Sequence, residues 1–544
     1  MTVRRYQWST PGDVNAFFGL MLDNIANLVL TVGLLEAAFK FPVNFALRHM
    51  VPGTALGVLV GDLLFTWMAF RLARRTGRND ITAMPLGLDT PSTFGMVFFV
   101  LGPAFLAAKA RGLDEHAAAL STWQVGACCI ILSGVFKMAC AFASGWARQV
   151  LPRAGLLGSL AAIALVLISF LPLLEILQFP LVGFLSLAVI LAALVARVEL
   201  PGRLPGALGA LVVGGVVYYV MHWSGALESH AAKESLPLVW LPLEWTESFR
   251  GGWLASLRES LQYMPIVIPF DLATVVGGID CTESAAAAGD EYNTGRIIAV
   301  EAFATLVAGF SGGVIQSTPY IGHPAYKAMG GRAAYTLATA LFVGSAGMLG
   351  YFSLLYEYLP TAAIFPILIF VGLEITAQSF QATPRRHYAA VAFACVPAMA
   401  SLVLIFADGL LSQVGREIDS LASPLREQLQ TVRMLSSGFI ITSVLWASAL
   451  AALIDRRLRR AAVYFGIAGV CSLFGIIHSP LAGSPLVVPW DLPELPKAAA
   501  NQTPWHLAGG YAGMAVLLLC WEWWRPQQPH QELPNPAARS TSDL

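Results

Sequence analysis

The sequence predicts an all-α polytopic membrane protein with a seven-plus-seven inverted-repeat transporter fold, carrying two short extended segments in broken helices and extra C-terminal helices. Three observations predict it. The chain is 56% hydrophobic and 12% charged, half the charged share of about 25% usual in soluble domains. Apolar runs of roughly 20 residues, the length that crosses a bilayer, recur along its length. Two of those runs are broken by Gly, Pro and polar residues in matching places, one in each half.

The apolar runs fall near 15–36, 50–72, 81–107, 120–143, 155–174, 178–197, 204–222, 260–280, 295–311, 313–331, 333–356, 359–379, 387–407, 434–454, 461–479 and 505–524, about sixteen in all. The predicted organisation is a cytoplasmic N-terminus over 1–14 and a first repeat of about seven spans over 15–222. An extracytoplasmic loop over 223–259 and a second repeat over 260–454 follow. Additional spans fill 455–524, and a disordered tail fills 525–544. An odd number of spans per half sets the two copies in opposite orientations. Met1 to Asp13 lacks the apolar core and cleavage site of a signal peptide, so the first span is expected to serve as a retained insertion signal.

Basic residues set the orientation. With a cytoplasmic N-terminus, Arg4, Arg5, Arg71, Arg74, Arg75, Arg78, Arg148, Arg153, Arg197, Arg203, Arg296, Lys327, Arg332, Arg385, Arg386 and the Arg456–Arg460 cluster all lie inside. The opposite side receives 223–259, with Glu228, Glu234, Glu244 and Glu247. It also receives 408–433, whose Arg416, Glu417, Asp419, Arg426 and Glu427 suggest a surface helix, and the Pro-rich 480–504. The expected location is the cell inner membrane, multi-pass. The charges balance, 33 basic against 33 acidic, which gives no case for nucleic acid as a partner. The seven cysteines sit mostly in apolar runs, without metal-site or disulfide spacing, and read as packing residues. No metal site, cofactor or catalytic group is expected: no His/Glu metal motif, nucleophile turn or P-loop is present.

The first break reads Asp80 to Gly95. Pro85 and Pro91 remove donors and Gly87 favours irregular backbone. Asp89, Thr90 and Ser92 then suit a helix start, with Pro91 in its first turn. The second break reads Ser311 to Lys327 and includes Gln316, Thr318, Tyr320 and His323. Non-helical backbone at membrane depth is tolerated only where protein shields it or a cavity faces it. Two facing helix N-termini there would favour a polar or anionic ligand.

A buried charge costs roughly 2.5–3.5 kcal/mol at mid-membrane on insertion scales, so intramembrane ionisable residues are site candidates. Asp271, beside Pro269 in its span, is the first candidate for substrate and coupling-ion binding; a structural hydrogen bond to a neighbouring helix is the alternative. Asp23, Asn24 and Asn27 either line the site or join helices. Asp62 suits packing, Glu301 suits a buried network and coupling, and Glu374 suits the interface. His323 either donates to a ligand, shuttles a proton or makes a helix-capping bond. Glu283, Asp290 and Glu291 are expected to be solvated in a cytoplasmic linker. The candidate substrate residues are thus Asp271, His323, Asp89, Thr90, Gly87, Gln316, Thr318, Tyr320, Asn24 and Asn27, with Asp271 and Glu301 for coupling to H⁺ or Na⁺.

Phe270-Asp271-Leu272-Ala273-Thr274 resembles the Phe-Asp-Thr-Leu-Gly-Thr run of the nucleobase–ascorbate transporter (xanthine/uracil permease) superfamily, in its hypoxanthine/guanine permease branch. Arg296 and the run Val300-Glu301-Ala302-Phe303-Ala304-Thr305 resemble that branch's Arg and Ala-Asp-Ala-Leu-Gly-Thr. Tyr320-Ile321-Gly322-His323 with Gly330-Gly331-Arg332 resembles its tenth segment, and Pro85-Leu86-Gly87-Leu88-Asp89 its Pro-Gly-Met-Gly-Leu-Asn. The resemblance implies a core and a gate domain, substrate between the third and tenth segments, and Asp271 at the family's eighth-helix carboxylate. One departure is that Gly322 stands where that family has a base-contacting Glu. The expected function is a permease moving a small polar solute, nucleobase-like by this resemblance, through ion-coupled alternating access. The alternative is an anion carrier or exchanger of the same fold. Expected partners are the small-molecule substrate and the lipid bilayer, with a homodimer left open.

Overall fold

A computed structural model describes residues 6–142, 153–227, 239–320, 322–414, 416, 418–481, 487–490, 496, 499 and 502–524. Arg4, Arg5, Arg148, Glu228, Glu234, Glu417, most of 480–504 and the tail 525–544 lie outside the described residues.

The first half contains α1 (Gly12–Phe39), α2 (Val43–Thr76), β1 (Leu86–Leu88), α3 (Thr90–Ala110), α4 (Glu115–Phe142), α5 (Leu157–Gln178), α6 (Pro180–Val195) and α7 (Gly206–Trp223). The second contains α8 (Met264–Ala287), α9 (Thr294–Phe310), β2 (Ser317–Pro319), α10 (His323–Ala328), α11 (Ala334–Leu349), α12 (Phe352–Tyr358), α13 (Thr361–Gln381), α14 (Arg385–Leu411), α15 (Leu425–Ser436) and α16 (Phe439–Ile454). The pair α17 (Leu458–Leu473) and α18 (Pro504–Trp524) follows and packs together. Among the described residues nine helices are long and apolar enough to cross a membrane, or up to eleven if the bent pairs α11–α12 (92°) and α15–α16 (73°) each count as one span. The sequence count of about sixteen is higher for two reasons. It includes helices of 16 or 17 residues such as α9, α11 and α17. It also includes 313–331, which is a three-residue strand followed by the six-residue α10.

The helices sort into two packed groups. One joins α1, α2, α4, α8, α9 and α11 around the two strands; the other joins α5, α13, α14 and α16, with α6 and α7 beside them. This is the inverted-repeat transporter plan: in each half a strand interrupts the helices at the same place, and the two strands meet antiparallel, Leu86 opposite Pro319, Gly87 opposite Thr318 and Leu88 opposite Ser317.

Small residues let the first group close. Gly53, Gly57 and Gly61 fall four residues apart on one face of α2, the spacing at which two helix backbones approach in a membrane. A Cβ on Gly53 would lie 2.2 Å from the Ser311 carbonyl oxygen, and one on Gly57 2.7 Å from the Ala308 methyl of α9. Gly53→Ala is therefore expected to cost about 1–3 kcal/mol, read as a lower unfolding temperature in detergent. The control is Gly215→Ala, where a Cβ meets nothing within 4 Å; equal effects from the two would sink the packing argument.

Candidate functional site

The site is built where the two strands replace helix. Backbone N–H and C=O groups exposed there must find partners inside the protein, because lipid offers none. Within the hairpin-like pair, Asp89 N donates to Gln316 O at 3.1 Å and Tyr320 N to Pro85 O at 2.9 Å. The outer edge of β1 is closed by side chains: Leu86 N donates to Asp62 Oδ1 at 3.1 Å, and Leu88 N to Asn24 Oδ1 at 3.0 Å. The approach to β2 is held in the same way. Trp123 Nε1 donates to Gly312 O at 2.6 Å, and Val314 N to Thr54 Oγ1 at 3.2 Å. Asp89 caps α3, accepting from Ser92 N at 2.9 Å, with Pro91 in the first turn.

A buried polar cluster lies against this pair. Ser133 Oγ is 2.5 Å from Asp271 Oδ1 and 3.1 Å from Gln316 Oε1. A hydroxyl has one proton, so Ser133 donates to Asp271 or to Gln316 but not to both. Gln316 Nε2 reaches Asp89 Oδ2 at 3.4 Å. One turn beyond Ser133 on α4, Lys137 Nζ lies 2.6 Å from Glu301 Oε1 and donates to Ser317 O at 3.0 Å. Asp89, Ser133, Lys137, Asp271, Glu301 and Gln316 are all buried, and Asp271 Oδ2 and Ser317 Oγ have no hydrogen-bond partner among the described residues. Ser92, Gly95, Ser133, Phe270, Asp271 and Gln316 face a cavity of about 10 Å³, room for one water. A Cβ on Gly95 would lie 2.4 Å from the Phe270 ring, so α3 and α8 are in contact there.

The structure thus brings together Asp271, Asp89, Gln316 and Glu301 from the sequence candidates. Thr90 is buried at the start of α3, and Gly87 and Thr318 face each other in the strand register. Asn24 is committed to β1. Asn27 Nδ2 bonds the Asp23 carbonyl at 3.0 Å, while Asn27 Oδ1 and Asp23 Oδ1 are buried without partners among the described residues. Tyr320 follows β2 and is half-buried. Ser133 and Lys137 were not among the candidates. Lys137 carries its own sequence signal, a lone charge inside the α4 span, and the rule that flagged Asp271 applies equally to it.

His323 lies in a different cluster. Its Nε2 is 3.2 Å from Asp290 Oδ2 and its Nδ1 3.2 Å from Ala83 O. Asp290 also meets Lys327 Nζ at 2.5 Å, Arg78 Nη2 at 3.4 Å and the Thr82 N–H at 3.0 Å. The expectation that Asp290 is solvated does not hold. Its side chain is fully buried, because three basic side chains and a backbone donor replace water around it. This cluster holds the extended run that leads into β1. Tyr292 Oη bonds Thr82 O at 2.7 Å, Tyr335 Oη bonds Ala83 O at 2.6 Å, and Thr82 Oγ1 bonds Gly331 O at 2.7 Å.

No family model matches the chain, and no curated protein matches it. Solved structures with a similar course are the transmembrane domain of a cyanobacterial bicarbonate transporter, BicA, and SLC26A9. BicA is 16% identical, with a TM-score of 0.46 over 75% of this chain and 98% of that one. One structure of SLC26A9 is 11% identical, with a TM-score of 0.39 over 74% and 64%. The murine anion transporter Slc26a9 in its inward-facing state is 14% identical, with a TM-score of 0.40 over 76% and 69%. Both proteins are described as transporters, one of bicarbonate and one of anions. Neither is a nucleobase permease, and the resemblance to the nucleobase–ascorbate superfamily does not stand. The short run around Gly87 is what a membrane break in general requires, a proline, a glycine and a capping Asp, and Phe270–Thr274 lies inside the unbroken α8. The residue that reads the base in that family is Gly322 in this chain.

Burial tends to raise the pKa of Asp290, but the bonds from His323, Lys327 and the Thr82 N–H outweigh it and hold the carboxyl below its usual value. A group depressed on folding stabilises the fold above its unfolded pKa, and that contribution fades as pH falls through the folded value. Unfolding temperature measured from pH 7 down to pH 3 should therefore fall more steeply below about pH 4 in the wild type than in Asp290→Asn, which starts lower at neutral pH. Parallel curves would show that Asp290 does not hold this end of the molecule.

Proposed function

We propose that the chain is a secondary transporter that carries a small anion, carboxylate or inorganic, coupled to H⁺ or Na⁺. The observation behind this reading is a buried ammonium close to the α3 N-terminus, in a cluster whose surplus of carboxylates calls for a coupling ion. Asp89, Asp271 and Glu301 face a single ammonium, that of Lys137.

Three carboxylates and one ammonium leave an excess of negative charge if all are ionised, and uncompensated charge at membrane depth is costly. Protons on the carboxylates or a bound cation remove that excess, which supports coupling. Asp271 Oδ2, without a partner, is the atom best placed to receive either. When Glu301 takes up a proton, its attraction for Lys137 weakens and the ammonium is released toward a substrate anion. The α3 N-terminus adds positive field from the same side of the cluster. Its Ser92 N–H already holds a carboxylate, that of Asp89. Substrate and coupling ion thus favour one another's binding, as alternating access requires. The water-sized cavity means that any solute enters only as α3 and α8 separate where Gly95 meets Phe270.

The test is uptake into proteoliposomes from a panel of labelled inorganic anions and small carboxylates, with neutral solutes as controls, with and without a pH or Na⁺ gradient. The wild type should accumulate an anion only under a gradient. Lys137→Gln should lower uptake by about tenfold or more, the loss of one charge-assisted contact. Asp271→Asn should still exchange the anion across the membrane but no longer accumulate it. Gradient-independent accumulation in Asp271→Asn, or a preference for neutral solutes that survives Lys137→Gln, would overturn the reading.

A further inference from the structure

We propose that the groove between α2 and α9, at the end of the molecule where Arg78 and Asp290 meet, binds the phosphate headgroup and upper acyl chain of an anionic phospholipid. The groove has a volume of about 380 Å³. Its mouth is basic and its floor is apolar, in the order that a phospholipid presents from headgroup to tail. Arg71 and Arg75 stand one turn apart near the end of α2, and Arg296 stands in the first turn of α9. None of the three makes an ion pair among the described residues. The single carboxylate on the groove, Glu291, leaves an excess of positive charge. Arg71 lies over the Trp67 ring with its guanidinium carbon 5.4 Å from the centroid, which holds that cation at the edge of the floor.

The floor continues toward the membrane centre. Trp67 is four residues before Arg71, and Phe303 is seven after Arg296; they are 55% and 47% exposed. At 1.5 Å per residue these offsets put apolar surface roughly 6–10 Å deeper than the arginines, the depth of the upper acyl chain below a headgroup. Large exposed apolar side chains along membrane helices face lipid, and a basic cluster at their ends attracts anionic headgroups. The charge excess and the depth order together select an anionic lipid over a free anion, which would have no use for the apolar floor, and over a zwitterionic lipid, which would not need three cations. If the basic residues at this end face the cytoplasm, the lipid comes from the inner leaflet.

The proposal is tested on the full chain purified in mild detergent and offered phosphatidylglycerol and phosphatidylcholine in equal amounts, with bound lipid read by native mass spectrometry. The wild type should retain phosphatidylglycerol preferentially. Arg71→Gln, Arg75→Gln and Arg296→Gln should each weaken retention by about fivefold. Arg74→Gln, exposed in the same turn but away from the groove, should not. Equal retention of both lipids by the wild type overturns the proposal without any variant. Undiminished phosphatidylglycerol in the combined arginine variant also overturns it. Millimolar inorganic phosphate stripping the lipid from the wild type would assign the arginines to a free anion and overturn it too.

Discussion

The constraint on which this structure depends is that backbone without helix, placed at membrane depth, must have every donor and acceptor met by protein. Two strands of three residues each cannot do this alone, since each leaves an open edge. Asp62 and Asn24 close the edge of β1, and Thr54 and Trp123 hold the run before β2. Lys137 reaches the Ser317 carbonyl on the far side. Each of these side chains comes from a different helix or turn of the first packed group. The strand pair therefore fixes the helices as much as the helices fix the strands, and the Gly53–Gly57–Gly61 face brings α2 near enough for Asp62 to reach.

The same constraint separates staples from working groups. A polar side chain whose bonding capacity is spent on backbone is structural. Asn24 fits that description, and so does one oxygen of Asp62. Asp271 does not: one oxygen shares Ser133 and the other is bare. Glu301 holds its lysine through one oxygen, and that lysine also serves a strand carbonyl. Removal of Lys137 from Glu301 would disturb β2 directly, so a change of charge in the cluster is felt by the backbone of the break. On the proposed coupling, that linkage is the route from ion binding to movement, because the strand pair sits at the start of α3, which meets α8 through Gly95 and Phe270.

Much of this was legible in the sequence. Prolines and glycines at 85–91 and 311–324 announced both breaks, and Asp89 with Pro91 announced the helix start that α3 makes. Lone charges in apolar runs pointed to Asp271 and Glu301, and the two breaks pointed to Asp89 and Gln316. The pairing was not legible, because which side chain meets which depends on rotations of helices that apolar periodicity leaves undefined. Lys137 was overlooked although the same rule covers it. Asp290 was misplaced because a carboxylate in a short linker normally faces water, and nothing local shows that His323 and Lys327 of α10 fold over it. The likeness to nucleobase permeases arose from short runs: those at 85–89 and 320–332 report a membrane break, and those at 270–274 and 300–305 lie inside α8 and α9.

The two polar clusters divide the labour along the extended run 81–89. At its outer end the Asp290 cluster binds Thr82 and Ala83 through His323, Tyr292 and Tyr335. Both nitrogens of His323 face acceptors, so only the doubly protonated ring donates to both. At its inner end Asp89 meets Gln316, and through Ser133 the path reaches Asp271. Between the clusters run five residues, 84–88, with no helix to absorb strain, tied to three other segments by hydrogen bonds. A rigid tie of this kind transmits displacement rather than damping it. On the proposed transport cycle, this run joins opening at the Asp290 end to rearrangement at Asp271, and a carrier that must never open both ends together needs such a joint.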